Sequence, residues 1–121
     1  GGKRKEHVES ASKRGYDAKW SKLSARFRKK HPFCRFCDQN GFETVFADDV
    51  DHIIPIEDGG PRLLLENLQS LCRKCHNGLK TRLQVYARKT GQVEKLPEWC
   101  ASPELRPDFT RRAENVLSSR L

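Results

Sequence analysis

The sequence predicts a small α+β domain that is stabilised by a structural zinc site, and three observations support this prediction. Apolar residues near the N-terminus recur at helical spacing, so a helix is expected there. A β-rich segment, a Gly-Gly-Pro loop and a second apolar run together predict a hairpin. Two C-x-x-C pairs flank that hairpin, in "CRFC" at 34–37 and "CRKC" at 72–75.

Length and composition fit one domain with a modest core. The chain has 121 residues, of which 36% are hydrophobic and 33% are charged, so a further source of stability is expected. No apolar run approaches the roughly 20 residues that span a bilayer. The N-terminal residues also lack the hydrophobic segment of a secretory signal. We therefore expect a soluble, cytoplasmic protein that does not associate with membranes.

Net charge indicates the class of binding partner. Lys and Arg number 24 against 16 Asp and Glu, which gives a formal net charge of +8. A basic surface on a small domain favours a polyanion, most often a nucleic acid. The composition leaves open the alternative that the charge only keeps the protein in solution.

Five cysteines are present, and four of them form the two pairs. Two residues between paired thiolates allow both to bind one ion, so the pairs predict a tetrahedral structural Zn²⁺ site. Its ligands would be Cys34, Cys37, Cys72 and Cys75. Thiols stay reduced inside cells, so disulfides are not expected, and a redox-active dithiol is the alternative. The fifth cysteine, Cys100, is expected to be a small buried side chain.

The N-terminal helix is predicted over residues 16–30. Residues 1–13 are polar and basic without periodicity, and we interpret them as a flexible arm. Proline disfavours helical geometry in the preceding residue, so the helix should end before Pro32. Core packing is the expected role of an apolar stripe at i, i+4, i+7 and i+11. The stripe consists of Tyr16, Trp20, Leu23 and Phe27.

The hairpin and a second helix follow. The segment "FETVFADDVDHIIPI" (42–56) is rich in β-forming residues, and "LLLENLQSL" (63–71) supplies a strand that ends near Leu71. Residues 74–90 are expected to form a helix that ends before Gly91. The predicted organisation is an arm (1–13), a domain (14–90) and an extension (91–121). Its prolines restrict that extension to a short helix, with Thr110 as the N-cap.

Four polar residues stand out on these elements: Asp51, His52, Asn67 and His76. Asp51 and His52 are consecutive, so on a strand their side chains point to opposite faces and can serve two roles. His76 directly follows Cys75, and adjacent helical residues diverge by about 100°. His76 is therefore expected to face away from the cysteines.

These segments resemble the HNH endonuclease family, whose core is the ββα-metal fold. The matching residues are "VDHI" at 50–53, "DGG" at 58–60, "ENLQSLC" at 66–72 and "CH" at 75–76, with both cysteine pairs in place. The leading "RGYDAKWSKLSARFRKKHPFC" (14–34) is similar to the phage-encoded branch found beside packaging genes. The resemblance covers residues 14–81. It implies a ββα-metal core with an N-terminal helix, a four-cysteine zinc knuckle and a C-terminal helical tail.

The resemblance also implies a metal-dependent endonuclease that hydrolyses DNA phosphodiester bonds. His52 takes the place of the general base, and Asp51 and His76 take the places of the ligands of one divalent metal. Asn67 matches the family's asparagine, and its donor and acceptor groups suit it to pin the hairpin loop and orient His52. A carboxylate with an imidazole suits Mg²⁺ or Mn²⁺, with Zn²⁺ or Ni²⁺ as alternatives.

One position departs from the family's pattern. Some relatives have a further histidine or asparagine one turn after the last histidine, where this chain has Lys80. We therefore expect two protein ligands, with Lys80 on a phosphate or on an exposed helix face. Asp48 and Asp49 are expected to be exposed charges at the strand edge. The residues expected to contact the DNA backbone are Arg14, Lys19, Lys22, Arg26, Lys80 and Arg82.

The expected substrate is double-stranded DNA, nicked or cut with little sequence preference. As similar phage proteins imply, terminase or other packaging proteins are expected partners, and the host cytoplasm would then be the location. Two rival functions stay open. One is a non-catalytic, zinc-stabilised DNA-binding adaptor, and the other is a structural scaffold, favoured only by residues 91–121.

Overall fold

The computed structural model describes residues 11–110, with side chains described from Asp17 onward. The helices in this range are α1 (Ala11–Lys30), α2 (Arg35–Gln39), α3 (Arg73–Cys75), α4 (Thr81–Thr90) and α5 (Leu96–Ala101). The strands are β1 (Asp49–His52) and β2 (Leu68–Leu71), and a π-helical turn, His76–Lys80, joins α3 to α4. Short 3-10 turns lie at Ile56–Asp58, Leu65–Asn67, Val93–Lys95 and Pro103–Leu105.

The predicted hairpin is confirmed. β1 and β2 pair antiparallel, with Asp49 opposite Leu71 and His52 opposite Leu68. The first strand is shorter than the predicted segment 42–56, because its early part forms only an isolated bridge between Phe46 and Phe33. The chain therefore packs on the cysteine knuckle before β1 begins.

The core lies between the hairpin, α2, α4 and α5. Its buried residues include Phe36, Leu71, Leu83 and Trp99. The helix predicted over residues 74–90 ends as expected. α4 stops at Thr90, because Gly91 adopts a left-handed conformation with φ of 65°. The segment that follows Gly91 belongs to the same packing unit. There the buried Arg106 donates to the Trp99 carbonyl at 2.6 Å and lies 4.7 Å from the Phe36 ring centroid.

The N-terminal helix differs from its prediction in two ways. It ends at Lys30, as expected, but it begins at Ala11, so residues 11–13 are helical and the rest of the expected arm, 1–10, lies outside the described residues. Its apolar stripe does not enter the core. Trp20, Leu23 and Phe27 are only half-buried, because α1 packs against the hairpin on one side and faces solvent elsewhere. The Tyr16 side chain lies outside the described part.

The predicted N-cap role of Thr110 is wrong. Helical geometry begins at residue 108, and the Thr110 hydroxyl donates to the Pro107 carbonyl at 2.8 Å, so Thr110 lies inside the first turn. The remaining residues of that predicted helix, 111–121, lie outside the described range. Between residues 11 and 110, no helix is long and apolar enough to cross a membrane.

Candidate active site and metal centre

The two cysteine pairs converge on one point. Their four Sγ atoms all lie within 4.8 Å of one another. Cys37 Sγ is 3.8 Å from Cys72 Sγ and 3.7 Å from Cys75 Sγ. Thiolates in a tetrahedral zinc site, with a Zn–S distance of about 2.3 Å, would lie about 3.8 Å apart. The cluster could therefore bind a structural metal ion such as Zn²⁺.

Local structure places these thiols and makes their protons interdependent. Cys34 caps α2, where its Sγ accepts from the Cys37 backbone N–H at 3.5 Å. A hydrogen bond with Cys75 lowers the pKa of Cys34 to about 4, whereas burial raises the pKa of Cys37 to about 12. The hydrogen bond with Cys34 in turn raises the pKa of Cys75. Four neighbouring thiolates need a compensating cation, which a bound metal would supply.

The fifth cysteine lies in the core, as predicted. Cys100 is fully buried, and Gln69 Nε2 lies 3.4 Å from its Sγ. Burial raises the pKa of this thiol, so it stays neutral and behaves as a small apolar side chain.

Consecutive residues of β1 face different helices. Asp51 lies opposite Gln69 and faces the π-helical turn, where His76 Nε2 is 3.3 Å from Asp51 Oδ1. His52 faces α1, and the indole of Trp20 stacks on its imidazole. The hairpin thus brings together the four polar residues singled out in the sequence and separates Asp51 from His52 by face.

The Asp51–His76 pair has the geometry of two adjacent metal ligands. Ligands next to each other around a divalent ion, each at about 2.1 Å, would lie about 3 Å apart, close to the observed 3.3 Å. Asp51 is buried, whereas 39% of the His76 side chain is exposed, so one side of the pair is open to solvent. Asp49 Oδ2 lies 4.0 Å from the other ring nitrogen of His76. The pair could hold one cation and leave room for ligands from solvent or substrate.

The predicted phosphate contact of Lys80 is wrong, because this lysine is fully buried. Its Nζ lies 2.8 Å from Asp51 Oδ2 and donates to the His52 carbonyl at 2.9 Å. Gln69 Nε2 donates to the same carboxylate oxygen at 2.8 Å. The protein thereby satisfies Oδ2 and leaves Oδ1 directed to His76. A lysine is rarely buried without a countercharge, and Asp51 supplies it.

Replacing Lys80 with Met is expected to destabilise the domain by about 3–5 kcal/mol, because it leaves the Asp51 carboxylate buried without its partner. Urea unfolding would measure this loss. The control is Lys89→Met, since Lys89 is an exposed lysine on α4. Equal free energies of unfolding for the two variants would contradict a structural role of the Lys80–Asp51 ion pair.

The loop between the strands holds His52. Nε2 of His52 lies 2.9 Å from the carbonyl oxygen of Arg62. A carbonyl can only accept, so Nε2 is the donor, and the neutral form of the ring then has its lone pair on Nδ1. An imidazole in this tautomer can accept a proton at Nδ1, as general-base catalysis requires.

Asn67 pins the same loop. It is buried, and its Oδ1 accepts from the Ile54 backbone N–H at 2.9 Å. Its Nδ2 donates to the carbonyls of Ile54 and Pro61, both at 3.0 Å. Pro61 directly precedes Arg62, so these bonds also set the position of the carbonyl that holds His52. They are the bonds expected of an orienting residue.

Gly60, the second glycine of "DGG", is required by close packing. A Cβ there would lie 1.8 Å from the Ile54 carbonyl oxygen, so Gly60→Ala should displace the loop and lose at least about 2 kcal/mol of stability. Gly78→Ala is the matched control, since a Cβ there meets nothing within 4 Å. It should be neutral or stabilise by up to about 1 kcal/mol. Urea unfolding compares the two, and a neutral Gly60→Ala would contradict the close packing of Gly60 against Ile54.

The basic residues expected to contact DNA are divided between two surfaces. Lys19, Lys22 and Arg26 are exposed on α1, the helix that contacts His52. The side chain of Arg14, on the same helix, lies outside the described residues. Arg82 is exposed on α4, and its guanidinium lies 5.9 Å from the Phe109 ring centroid. The three α1 residues therefore belong to the helix that also contacts His52 through Trp20.

Besides the Lys80–Asp51 ion pair, three contacts of the site were missed in the sequence. Asp48 is exposed, as expected, but its carboxylate also accepts the Arg73 backbone N–H at 2.7 Å, at the start of α3. Gln69 binds Asp51, and Trp20 stacks on His52. Each contact joins residues far apart in the chain, so no local spacing signals it. The hairpin register places Gln69 opposite Asp51, so a correct register would have indicated the Gln69–Asp51 contact.

Comparisons with known proteins agree with this geometry. The family model for HNH endonuclease matches residues 34–82, which include both cysteine pairs, the hairpin and the π-helical turn. The mouse (Mus musculus) protein "DNA annealing helicase and endonuclease ZRANB3" is 45% identical over 47 residues, which are 39% of this chain and 4% of that protein. No solved structure matches the chain. Residues 34–82 of this chain therefore match the HNH endonuclease family, and the small α+β fold with its four-cysteine cluster is consistent with a ββα-metal core.

Proposed function

We propose that this domain is a metal-dependent endonuclease that hydrolyses phosphodiester bonds of double-stranded DNA with little sequence preference. The observation that supports it most is the arrangement at the end of β1. There His52 has its Nε2 bound and its Nδ1 lone pair available, while the preceding residue, Asp51, pairs with His76 in the geometry of two metal ligands. β1 thus contributes the base and one of the two ligands of the cation site, and the π-helical turn contributes the other.

In this proposal His52 is the general base. Its Nδ1 takes a proton from the water that attacks phosphorus in line with the departing 3′ oxygen. The Nε2–H bond to the Arg62 carbonyl holds the ring and stabilises the imidazolium that forms. Asn67 keeps that carbonyl in place through Pro61. The products carry 5′-phosphate and 3′-hydroxyl ends.

Asp51 and His76 would hold one divalent cation. Their carboxylate and imidazole donors suit Mg²⁺ or Mn²⁺, with Zn²⁺ or Ni²⁺ as alternatives. When bound, such a cation would stabilise negative charge on the phosphate and on the leaving oxygen. Lys80 and Gln69 hold the Asp51 carboxylate in the required orientation. Structural Zn²⁺ is assigned to the four-cysteine cluster.

Charge and the comparison support DNA as the substrate. The chain has a formal net charge of +8, and exposed Lys19, Lys22 and Arg26 lie on the helix beside His52. The mouse relative is described as a DNA helicase and endonuclease. Phosphate contacts fix position without reading sequence, and they make affinity fall steeply with salt. A link to phage terminase or packaging proteins stays a prediction that the mouse relative does not support.

The test is cleavage of supercoiled plasmid by the purified chain with Mg²⁺, with Mn²⁺ and with EDTA. Nicked or linear products with either ion, and none with EDTA, are expected. Zinc content is measured in each sample, so that loss of the structural ion is not mistaken for loss of the catalytic one.

A non-catalytic DNA-binding adaptor is the second candidate, and one observation favours it. The Lys80 ammonium already neutralises Asp51, so this centre is electrostatically complete without a metal ion. Salt-sensitive DNA binding without cleavage under any metal would establish the adaptor and reject the nuclease.

A further inference from the structure

A residue outside the family segment packs on the proposed general base. Trp20 belongs to α1, which precedes residues 34–82. Its indole and the His52 imidazole have ring centroids 4.6 Å apart and planes inclined by 26°. Resting on the proposed function, we infer that Trp20 is a positioning residue for His52, so that α1 completes the catalytic site.

Two restraints on the imidazole are complementary. The hydrogen bond from Nε2 to the Arg62 carbonyl fixes the position of one ring atom. It leaves the imidazole plane free to rotate about the axis through that atom. A stacked aromatic ring fixes the plane, because stacking favours offset, near-parallel rings. Together they determine the direction of Nδ1. The indole covers a ring face, whereas the Nδ1 lone pair lies in the ring plane, so the stack leaves the base accessible to water.

The alignment of α1 with β1 makes this contact part of the fold. Arg28 Nη1 donates to the Asp48 carbonyl at 3.1 Å, which anchors α1 beside the start of β1. From Arg28 back to Trp20 a helix covers about 12 Å. From Asp48 to His52 a strand covers about 13 Å. The two elements therefore run side by side in opposite directions, and Trp20 reaches the strand end where His52 lies.

The same helix provides a matched control. Phe27 is also a half-buried aromatic residue of α1, and it also lies against a histidine, with ring centroids 4.6 Å apart. That histidine is His31, the residue that directly follows α1. Removal of Phe27 tests the loss of an aromatic ring from α1 while the stacked Trp20–His52 pair stays in place.

The experiment compares Trp20→Ala, Trp20→Phe and Phe27→Ala in the full chain, with kcat, KM for DNA and melting temperature measured for each. Trp20→Ala is expected to lower kcat by about 10- to 100-fold through misplacement of the base, with KM unchanged. Trp20→Phe should restore most of kcat, and Phe27→Ala should leave it unchanged. A rise in KM at constant kcat would make Trp20 a DNA contact instead. A lower melting temperature with unchanged kcat would make its role structural, and either result would overturn the inference.

A second readout does not depend on cleavage. In the wild-type chain without DNA, the indole should shift the ¹H resonances of the His52 ring upfield, and Trp20→Ala should remove that shift while Phe27→Ala retains it. An unshifted His52 ring in the wild type would overturn the inference. If the wild type shows the shift but never cleaves DNA, the proposed function fails while the contact stands.

Discussion

Replacing His52 with Ala is expected to reduce the DNA cleavage rate by about 10²- to 10⁴-fold, the range that a positioned general base contributes. The fold should survive, because the half-buried ring of His52 contacts Trp20 and one loop carbonyl and lies outside the core. DNA affinity should also persist, since it depends on basic residues that the change leaves in place. Plasmid nicking at saturating Mg²⁺ and a DNA-binding assay in EDTA measure the two effects separately.

His31→Ala is the matched control for this substitution. His31 is an exposed histidine that also lies against an aromatic ring, that of Phe27, and its removal should leave cleavage unchanged. Imidazole added to His52→Ala should restore part of the rate by replacing the missing base. Loss of DNA binding together with cleavage would move His52 from catalysis to structure. Equal losses in both histidine variants would remove the special role of His52.

Local signals predicted the parts of the fold that depend on a few neighbouring residues. α1 ends before Pro32, because proline disfavours helical geometry in the residue that precedes it. α4 ends before Gly91, because glycine adopts the left-handed conformation that terminates a helix. The C-x-x-C spacing likewise determines how two thiols can meet one ion. These features confirmed the small α+β fold with its four-cysteine cluster.

The sequence did not predict which charged and aromatic side chains would be partners across the fold. Lys80 was expected on a phosphate or on an exposed helix face. The Asp51 carboxylate, 29 positions away, instead pairs with it and makes its burial favourable. The helical spacing of Trp20 indicated an apolar face but not what that face would meet. That depends on how α1 aligns with β1, where the Arg28–Asp48 hydrogen bond is one contact between the two elements. Periodicity identifies a buried side of a helix, whereas a catalytic neighbour follows only from tertiary geometry.

Replacing Cys34 with Ser is expected to abolish both metal binding and folding. A four-thiolate zinc site contributes about 10–16 kcal/mol in small zinc domains, which equals or exceeds the whole stability of a typical domain, about 5–15 kcal/mol. Serine cannot supply the thiolate, and the three remaining cysteines do not complete the tetrahedron. Circular dichroism, urea unfolding and atomic absorption for zinc measure the effect on purified protein, and chelation of the wild type should reproduce it.

Cys100→Ala separates loss of a zinc ligand from loss of a buried thiol. Both Cys34 and Cys100 have no exposed surface, so the two positions differ mainly in whether the sulfur belongs to the cluster. Cys100→Ala should therefore keep one zinc per chain, fold cooperatively and lose only about 1 kcal/mol through the small cavity. If Cys34→Ser folded equally well without metal, the four cysteines would not be a structural centre. A redox role for the two pairs would then be the better account, because a dithiol can be reversibly oxidised without holding the fold together.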